Sequence, residues 1–170
     1  MSGADLLLVD NDATIADLVA WVLERSGHRV RTARSFVEAR GALAERVPDL
    51  MLSDVDLGAE SALSELPRLS EAGVLPPTLV VSGFLGPAAR ERLGALREVL
   101  GFLDKPFDPR DLEQRVTELL AEVGERGREA PGFAPAPSSG VAPADPPAAP
   151  PPSDDEADDD GWIEIGGGGA

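Results

Sequence analysis

The chain contains no cysteine, which excludes disulfides, thiolate metal sites and a cysteine nucleophile. It has a single histidine, His28, so no site built on two imidazoles is possible. No stretch approaches the roughly 20 apolar residues that a membrane-spanning helix needs. The opening residues, MSGADLLLVDND, lack a basic start, and their apolar run is too short for a secretion signal, so the expected compartment is the cytoplasm. Basic residues are few: 15 Lys and Arg against 31 Asp and Glu give a net charge of −16. A chain that acidic is poorly suited to gripping a nucleic-acid backbone or an anionic membrane, and neither is expected as a partner. Lysine is scarcest of all. Lys105 is the one lysine, and the other 14 basic residues are arginines.

What is present divides in two. A length of 170 residues suits one domain at roughly 150 residues each. Composition changes near Glu125, and residues 126–170 hold 9 of the 16 prolines and 8 of the 18 glycines. An acidic run, Asp154 to Asp160, precedes Trp162, Ile163 and Ile165. Such a segment buries too little apolar surface to offset its ordering entropy, so 126–170 is expected to be a disordered Pro/Ala/Gly-rich acidic tail behind a folded domain of residues 1–125. The tail carries 2 − 9 = −7 charges and the domain 13 − 22 = −9. No DNA-binding or catalytic output domain fits in residues 126–170, so output by protein contact is expected. The tail reads as a solubilising segment or as a docking motif.

Within 1–125, short apolar runs recur at Leu6–Val9, Leu50–Leu52, Leu79–Val81 and Phe102–Leu103, as expected of strands buried on both faces of a parallel sheet. His28 to Thr32 alternates and is more polar, which suits an edge strand. Helical spacing fills the gaps. Ile15, Leu18, Val19, Val22 and Leu23 form one stripe, stopped by Gly27. Ser35 and Glu38 form a capping box for a second helix. A third helix is expected over Ala59–Ala72 with Pro67 inside it, and a fourth over Pro87–Leu100. A fifth opens at Asp108 and Pro109, with Leu112, Val116, Leu119 and Leu120 on its apolar face. Trp21, Phe36 and Phe107 are read as packing residues, and His28 as a surface loop residue. The whole is an α/β fold: a doubly wound (βα)5, flavodoxin-like parallel sheet. With the polar second strand at an edge, its order is 2-1-3-4-5. The ligand crevice of such a sheet lies at the carboxyl ends of strands 1 and 3.

The polar residues gather at those ends: Asp10-Asn11-Asp12, Asp54-Val55-Asp56, Ser82-Gly83 and Asp104-Lys105-Pro106. Carboxylates converging from two adjacent strands repel one another, and a hard divalent cation with oxygen ligands, Mg²⁺, relieves that. A lysine and a hydroxyl in the same crevice add a point charge and a donor, and the set suits a phosphoryl group. Asp12 is read either as a neighbour of the metal or as the N-cap of the first helix.

The motifs LLLVDND, PDLMLSD, LVVSG and GFLDKPF, in this order and spacing, resemble the receiver domain of two-component response regulators, over about residues 4–123. The resemblance implies roles residue by residue. Asp54 matches the phosphoacceptor. Asp10 and Asn11 match the acidic pair that holds Mg²⁺, with Asp54 and the backbone carbonyl of Asp56 as further ligands. Ser82 and Lys105 match the hydroxyl and the ammonium that meet the phosphoryl group, and Phe102 matches the aromatic switch that turns inward with Ser82. It also implies a sensor histidine kinase or phosphotransfer protein as donor, a downstream protein target met through the fourth helix, fifth strand and fifth helix, and no enzymatic activity beyond self-phosphotransfer and slow self-dephosphorylation. The Lys105–Pro106 bond is expected to be cis on the same ground.

Three positions depart from the family pattern. Asn11 stands where aspartate is usual, which implies weaker Mg²⁺ binding. Gly58 stands where proline is usual, and Phe102 where tyrosine is commoner. Two rival readings follow. One is a pseudo-receiver that binds partners without phosphate, supported by Asn11. The other is an aspartyl phosphatase of the haloacid dehalogenase type, with LLLVDNDATI as its first motif and Asp10 as nucleophile. The second rival leaves Asp54 unexplained and lacks a further acidic strand end after Lys105.

Overall fold

The computed structural model describes residues 3–129. Five strands and five helices alternate: β1 (Asp5–Val9), α1 (Ala13–Arg25), β2 (Arg29–Ala33), α2 (Phe36–Glu45), β3 (Leu50–Asp54), α3 (Ala62–Glu71), β4 (Thr78–Ser82), α4 (Pro87–Gly94), β5 (Val99–Asp104) and α5 (Pro109–Glu129). All strand pairs are parallel, in the order β2-β1-β3-β4-β5, so the expected doubly wound sheet and its polar edge strand are both present.

Strand alternation splits the core into two layers. Leu7, Val9, Met51 and Val80 face one way and pack with Phe36, Leu43, Leu66 and Leu93 of α2, α3 and α4. Leu6, Leu8, Leu50, Leu52, Leu79 and Val81 face the other way and pack with Val19, Leu23, Leu112, Val116 and Leu119 of α1 and α5. Each fully buried aliphatic side chain contributes about 1.5–3 kcal/mol of transfer free energy.

Helix starts follow their caps. Asp12 accepts from the N–H groups of Thr14 and Ile15, at 2.9 and 3.2 Å, and opens α1. Ser35 accepts from Glu38 N–H at 3.1 Å, while the Glu38 carboxylate reaches back to Arg34 N–H, one residue before the cap. Asp108 accepts from Arg110 N–H at 2.8 Å at the start of α5.

Several expectations need correction. The third helix begins at Ala62, not Ala59, because Ser61 is its cap and the preceding residues fold into a turn closed by an Asp56–Ser61 bridge. The fourth ends at Gly94, not Leu100. Val99 and Leu100 belong instead to β5, where Val99 pairs with Thr78 of β4 and Leu100 falls at an irregularity before Gly101 resumes the pairing. Leu18 and Trp21 are not core residues: they stand 50% and 56% exposed on α1, and the Arg25 guanidinium lies over the Trp21 ring, 4.8 Å from its centroid. Phe36 is fully buried, and Phe107 packs against the α1–α5 layer. Helix α5 continues to Glu129, past the boundary expected at Glu125. The rest of the expected tail, including its acidic run and Trp162, lies outside the described residues. No described helix is long and apolar enough to cross a membrane.

Candidate phosphoryl site

Register brings the polar strand ends together. Val9 lies beside Ser53, Asp54 beside Val81, and Ser82 beside Asp104, so the first residues past β1 and β5 emerge at the same edge as Asp54 and Ser82. Backbone bonds extend the ladder beyond the strands. Asp10 N–H donates to Ala33 O at 3.0 Å, and Lys105 N–H donates to Ser82 O at 2.7 Å. Both side chains therefore leave from backbone pinned to a neighbouring strand. The Lys105–Pro106 bond that follows is cis.

Lys105 bridges two carboxylates. Its Nζ donates to Asp10 Oδ2 at 2.8 Å and to Asp54 Oδ2 at 3.2 Å. Asp10 is 3% exposed, and its Oδ1 accepts from Asp12 N–H at 2.8 Å. Asp54 Oδ1 accepts from Val55 N–H at 2.7 Å. Burial pulls the pKa of the Lys105 ammonium down. The hydrogen bond to Asp10 and the charges of Asp54 and Asp10 outweigh that, and the pKa stands above the ordinary lysine value. The lysine is fully charged at neutral pH, and one positive charge faces two negative ones.

The remaining expected residues surround this trio. Ser82 is buried, and its hydroxyl donates to Phe84 O at 3.1 Å, within its own loop. Phe84 itself is 89% exposed. Phe102 is half-buried against the layer that contains Leu93. Asn11 is exposed, and its Nδ2 lies 3.8 Å from the point where a Cβ on Gly58 would stand, so it borders the β3–α3 loop. Asp56 turns its carboxylate into that loop, where Oδ1 accepts from Gly58 N–H at 3.0 Å. Gly58 has φ 80, a conformation closed to proline. Asp12 resolves as the helix cap, with Oδ1 committed to the first turn of α1. His28 lies at the opposite end of the sheet, where Nδ1 accepts from Ala4 N–H at 3.3 Å.

Among the described residues, no three His, Cys, Asp or Glu side chains are grouped to hold a metal. The expected set is instead two carboxylates, Asp10 and Asp54, with the Asn11 amide and the Asp56 carbonyl. All four are hard oxygen donors and two are charged, so the set suits Mg²⁺ in kind, with one carboxylate fewer than an Asp at position 11 would give.

Arg90 escaped the sequence reading. Its guanidinium pairs with Asp104 at 2.6 Å and lies over the Phe102 ring, 5.0 Å from the centroid. Residues 90 and 104 meet only through the packing of α4 on β5, and no local pattern marks them.

The Asp10 side chain is more enclosed than that of Asp54, 4% against 13% exposed, and β5 is the last strand among the described residues. Neither fact suits the phosphatase reading. Comparison with known proteins points the same way. The phosphate regulon transcriptional regulatory protein PhoB of Pseudomonas aeruginosa is 30% identical over 133 residues, covering 77% of this chain and 58% of that protein. The DNA-binding transcriptional regulator NtrC of Rhizobium meliloti is 32% identical over 129 residues, covering 74% of this chain and 26% of that protein. The chain thus spans only part of the length of these curated relatives. Among solved structures, a CheY-like response regulator receiver domain protein from Methanospirillum hungatei matches with a TM-score of 0.69 at 24% identity, over 74% of this chain and 100% of that one, and shows the fold. NtrX from Brucella abortus matches with a TM-score of 0.66 at 28% identity, over 74% of this chain and 29% of that one. The model of the response regulator receiver domain matches residues 6–117, and the chain belongs to that family.

Proposed function

We propose that this chain is a cytoplasmic phosphoacceptor of a two-component phosphorelay. In this reading Asp54 takes a phosphoryl group from a phosphohistidine on a sensor histidine kinase or phosphotransfer protein, and the signal passes by protein contact through the α4–β5–α5 face. The observation that carries it is the Lys105 bridge between Asp54 and Asp10.

A carboxylate oxygen of Asp54 attacks phosphorus. The O–P bond forms as the P–N bond to the donor imidazole breaks, and an acyl phosphate results. Lys105 is the mobile charge. Its bond to Asp54 is the longer of its two, and it transfers to the phosphoryl oxygens while Asp10 keeps it in place. Mg²⁺, held by Asp10, Asn11, Asp54 and the Asp56 carbonyl, would neutralise phosphoryl charge when bound. The Ser82 hydroxyl leaves Phe84 O for the phosphoryl group, Phe102 turns into the space it vacates, and the population of the signalling form rises. The chain catalyses nothing beyond its own phosphorylation and slow dephosphorylation.

The test is incubation of the full chain with acetyl phosphate, with and without Mg²⁺, read by intact mass beside Asp54→Ala and Asp10→Ala. The expected result is a Mg²⁺-dependent gain of one phosphoryl mass that Asp54→Ala abolishes. The neutral Asn11 is what supports the other reading, a pseudo-receiver that binds partners without phosphate. Absence of any gain across a Mg²⁺ titration would decide for it.

A further inference from the structure

Beyond the residues that meet the phosphoryl group, we propose that Arg90 is a positioning residue that clamps Phe102 against α4 and so restrains the switch. The inference rests on the phosphoacceptor reading only for what releases the clamp.

The geometry is that of one guanidinium used twice. Phe102 and Asp104 are two apart on β5 and share a face of the strand, whereas Lys105, the next residue, goes to the carboxylates. Arg90 spans that shared face from α4. Its flat side lies over the Phe102 ring, 5.0 Å from the centroid, and its edge donates from Nη2 to Asp104 Oδ1 at 2.6 Å. A planar, delocalised cation suits both contacts together. Gly94, one helical turn beyond Arg90, completes the seat. A Cβ there would stand 3.7 Å from Phe102 Cε2, so the ring lies against nearly bare helix backbone.

Asp104 ties the clamp to the site. It is peptide-bonded to Lys105, and it lies beside Ser82 in the ladder. Asp104 and Lys105 sit on backbone pinned to β4, so the anchor of Arg90 stays in place, and an inward turn of Phe102 removes the ring from the guanidinium. The clamp therefore favours the resting arrangement. Exposed contacts of these two kinds hold a population ratio of about fivefold.

The test labels the full chain with 4-fluorophenylalanine, which places a probe at each of its five phenylalanines. The Phe102 signal is identified by its loss in Phe102→Leu. Fluorine spectra without phosphodonor, and rates of phosphorylation by acetyl phosphate, are recorded for the wild type, Arg90→Ala, Asp104→Asn and the double variant. Asp104→Asn decides the matter, because it removes the charge of the anchor and leaves the guanidinium. It is expected to move the Phe102 signal in the same direction as Arg90→Ala and to speed phosphorylation. Arg90→Ala is expected to speed it by about threefold to fivefold, and the double variant no more than that, because both changes break one device. An unmoved Phe102 signal in Asp104→Asn, or rate effects that simply multiply, would overturn the clamp. A wild type that never gains phosphate overturns the phosphoacceptor reading instead, and the fluorine spectra still decide the clamp.

Discussion

Lys105 Nζ and Asp10 Oδ2 stand 2.8 Å apart although 95 residues separate them in sequence. Both groups leave opposite regions of the sheet, β1 near one edge and β5 at the other, and their side chains span the ends of β3 and β4 to meet beside Asp54. The pair is therefore a property of register: a one-residue slip in β1 or β5 would turn one side chain to the other face of the sheet. It also fixes the electrostatic character of the site. One ammonium offsets part of two carboxylate charges, and the excess negative charge suits a cation better than a free anion.

That pairing makes the alkaline limb of stability a readout of one residue. The chain has no tyrosine, no cysteine and one lysine, so between about pH 9 and about pH 12 Lys105 is its only titrating side chain. Its folded pKa is raised above the unfolded value of about 10.4. The stability it adds is complete below that value and is lost as pH rises through the folded pKa. Urea midpoints are expected to hold steady to about pH 10 and fall above it. In Lys105→Met the alkaline fall should vanish. At neutral pH that variant should be less stable by about 1–3 kcal/mol, because two carboxylates then face each other unbalanced. An unchanged alkaline limb in Lys105→Met would contradict the bridge.

Gly58 is expected to resist substitution. With φ 80 it occupies the left-handed region, where a Cβ costs about 1–2 kcal/mol. Space is not the obstacle, since the nearest neighbour of a new Cβ is Asn11 Nδ2 at 3.8 Å. Gly58→Ala should lower stability by about that amount. Gly58→Pro should lower it more, because proline cannot adopt the angle and also deletes the N–H that Asp56 Oδ1 accepts. Denaturant melts of the two variants, ranked against the wild type, check this. A neutral Gly58→Pro would mean that the loop readily adopts another course.

Trp21 and Phe36 should separate sharply under truncation. Phe36→Ala empties a fully buried site and is expected to cost about 3–5 kcal/mol. Trp21→Ala removes a half-exposed ring and one guanidinium contact and should cost no more than about 1 kcal/mol. Urea unfolding followed by far-ultraviolet dichroism measures both. The two residues also show how far sequence alone reaches. Apolar spacing marks both as core, but a helix packed on one face of a sheet buries only one stripe, and sequence does not say where that stripe ends. Strand ends were legible because Leu6–Val9, Leu50–Leu52 and Leu79–Val81 are apolar runs that stop at polar residues. The start of β5 was not, because Val99 and Leu100 continue the apolar spacing of the preceding helix and only the pairing of Val99 and Gly101 with β4 claims the segment for the sheet. The identities of Asp10, Asp54, Ser82 and Lys105 were legible from their positions at strand ends. Their hydrogen bonds, and the Arg90–Phe102 contact, depend on register and helix packing and were not.

The neutral Asn11 permits a test of the proposed cation site that does not rest on phosphorylation. Asn11→Asp adds a carboxylate at the residue that follows Asp10, at the sheet edge that holds Asp54, with Lys105 as the only lysine to offset the three. Without a divalent cation the added repulsion should lower stability by about 1 kcal/mol. With Mg²⁺ the sign should reverse. A ligand that binds only the folded state stabilises it by RT ln(1 + [L]/Kd), so a tighter site gains more at the same concentration. Urea midpoints measured across a Mg²⁺ series should therefore start below the wild type and cross above it. Curves for the two proteins that stay parallel at all Mg²⁺ concentrations would show that residue 11 does not face the cation. Asn11 would then be neutral because position 11 serves another end, and the cation site would have to be drawn from Asp10, Asp54 and the Asp56 carbonyl alone.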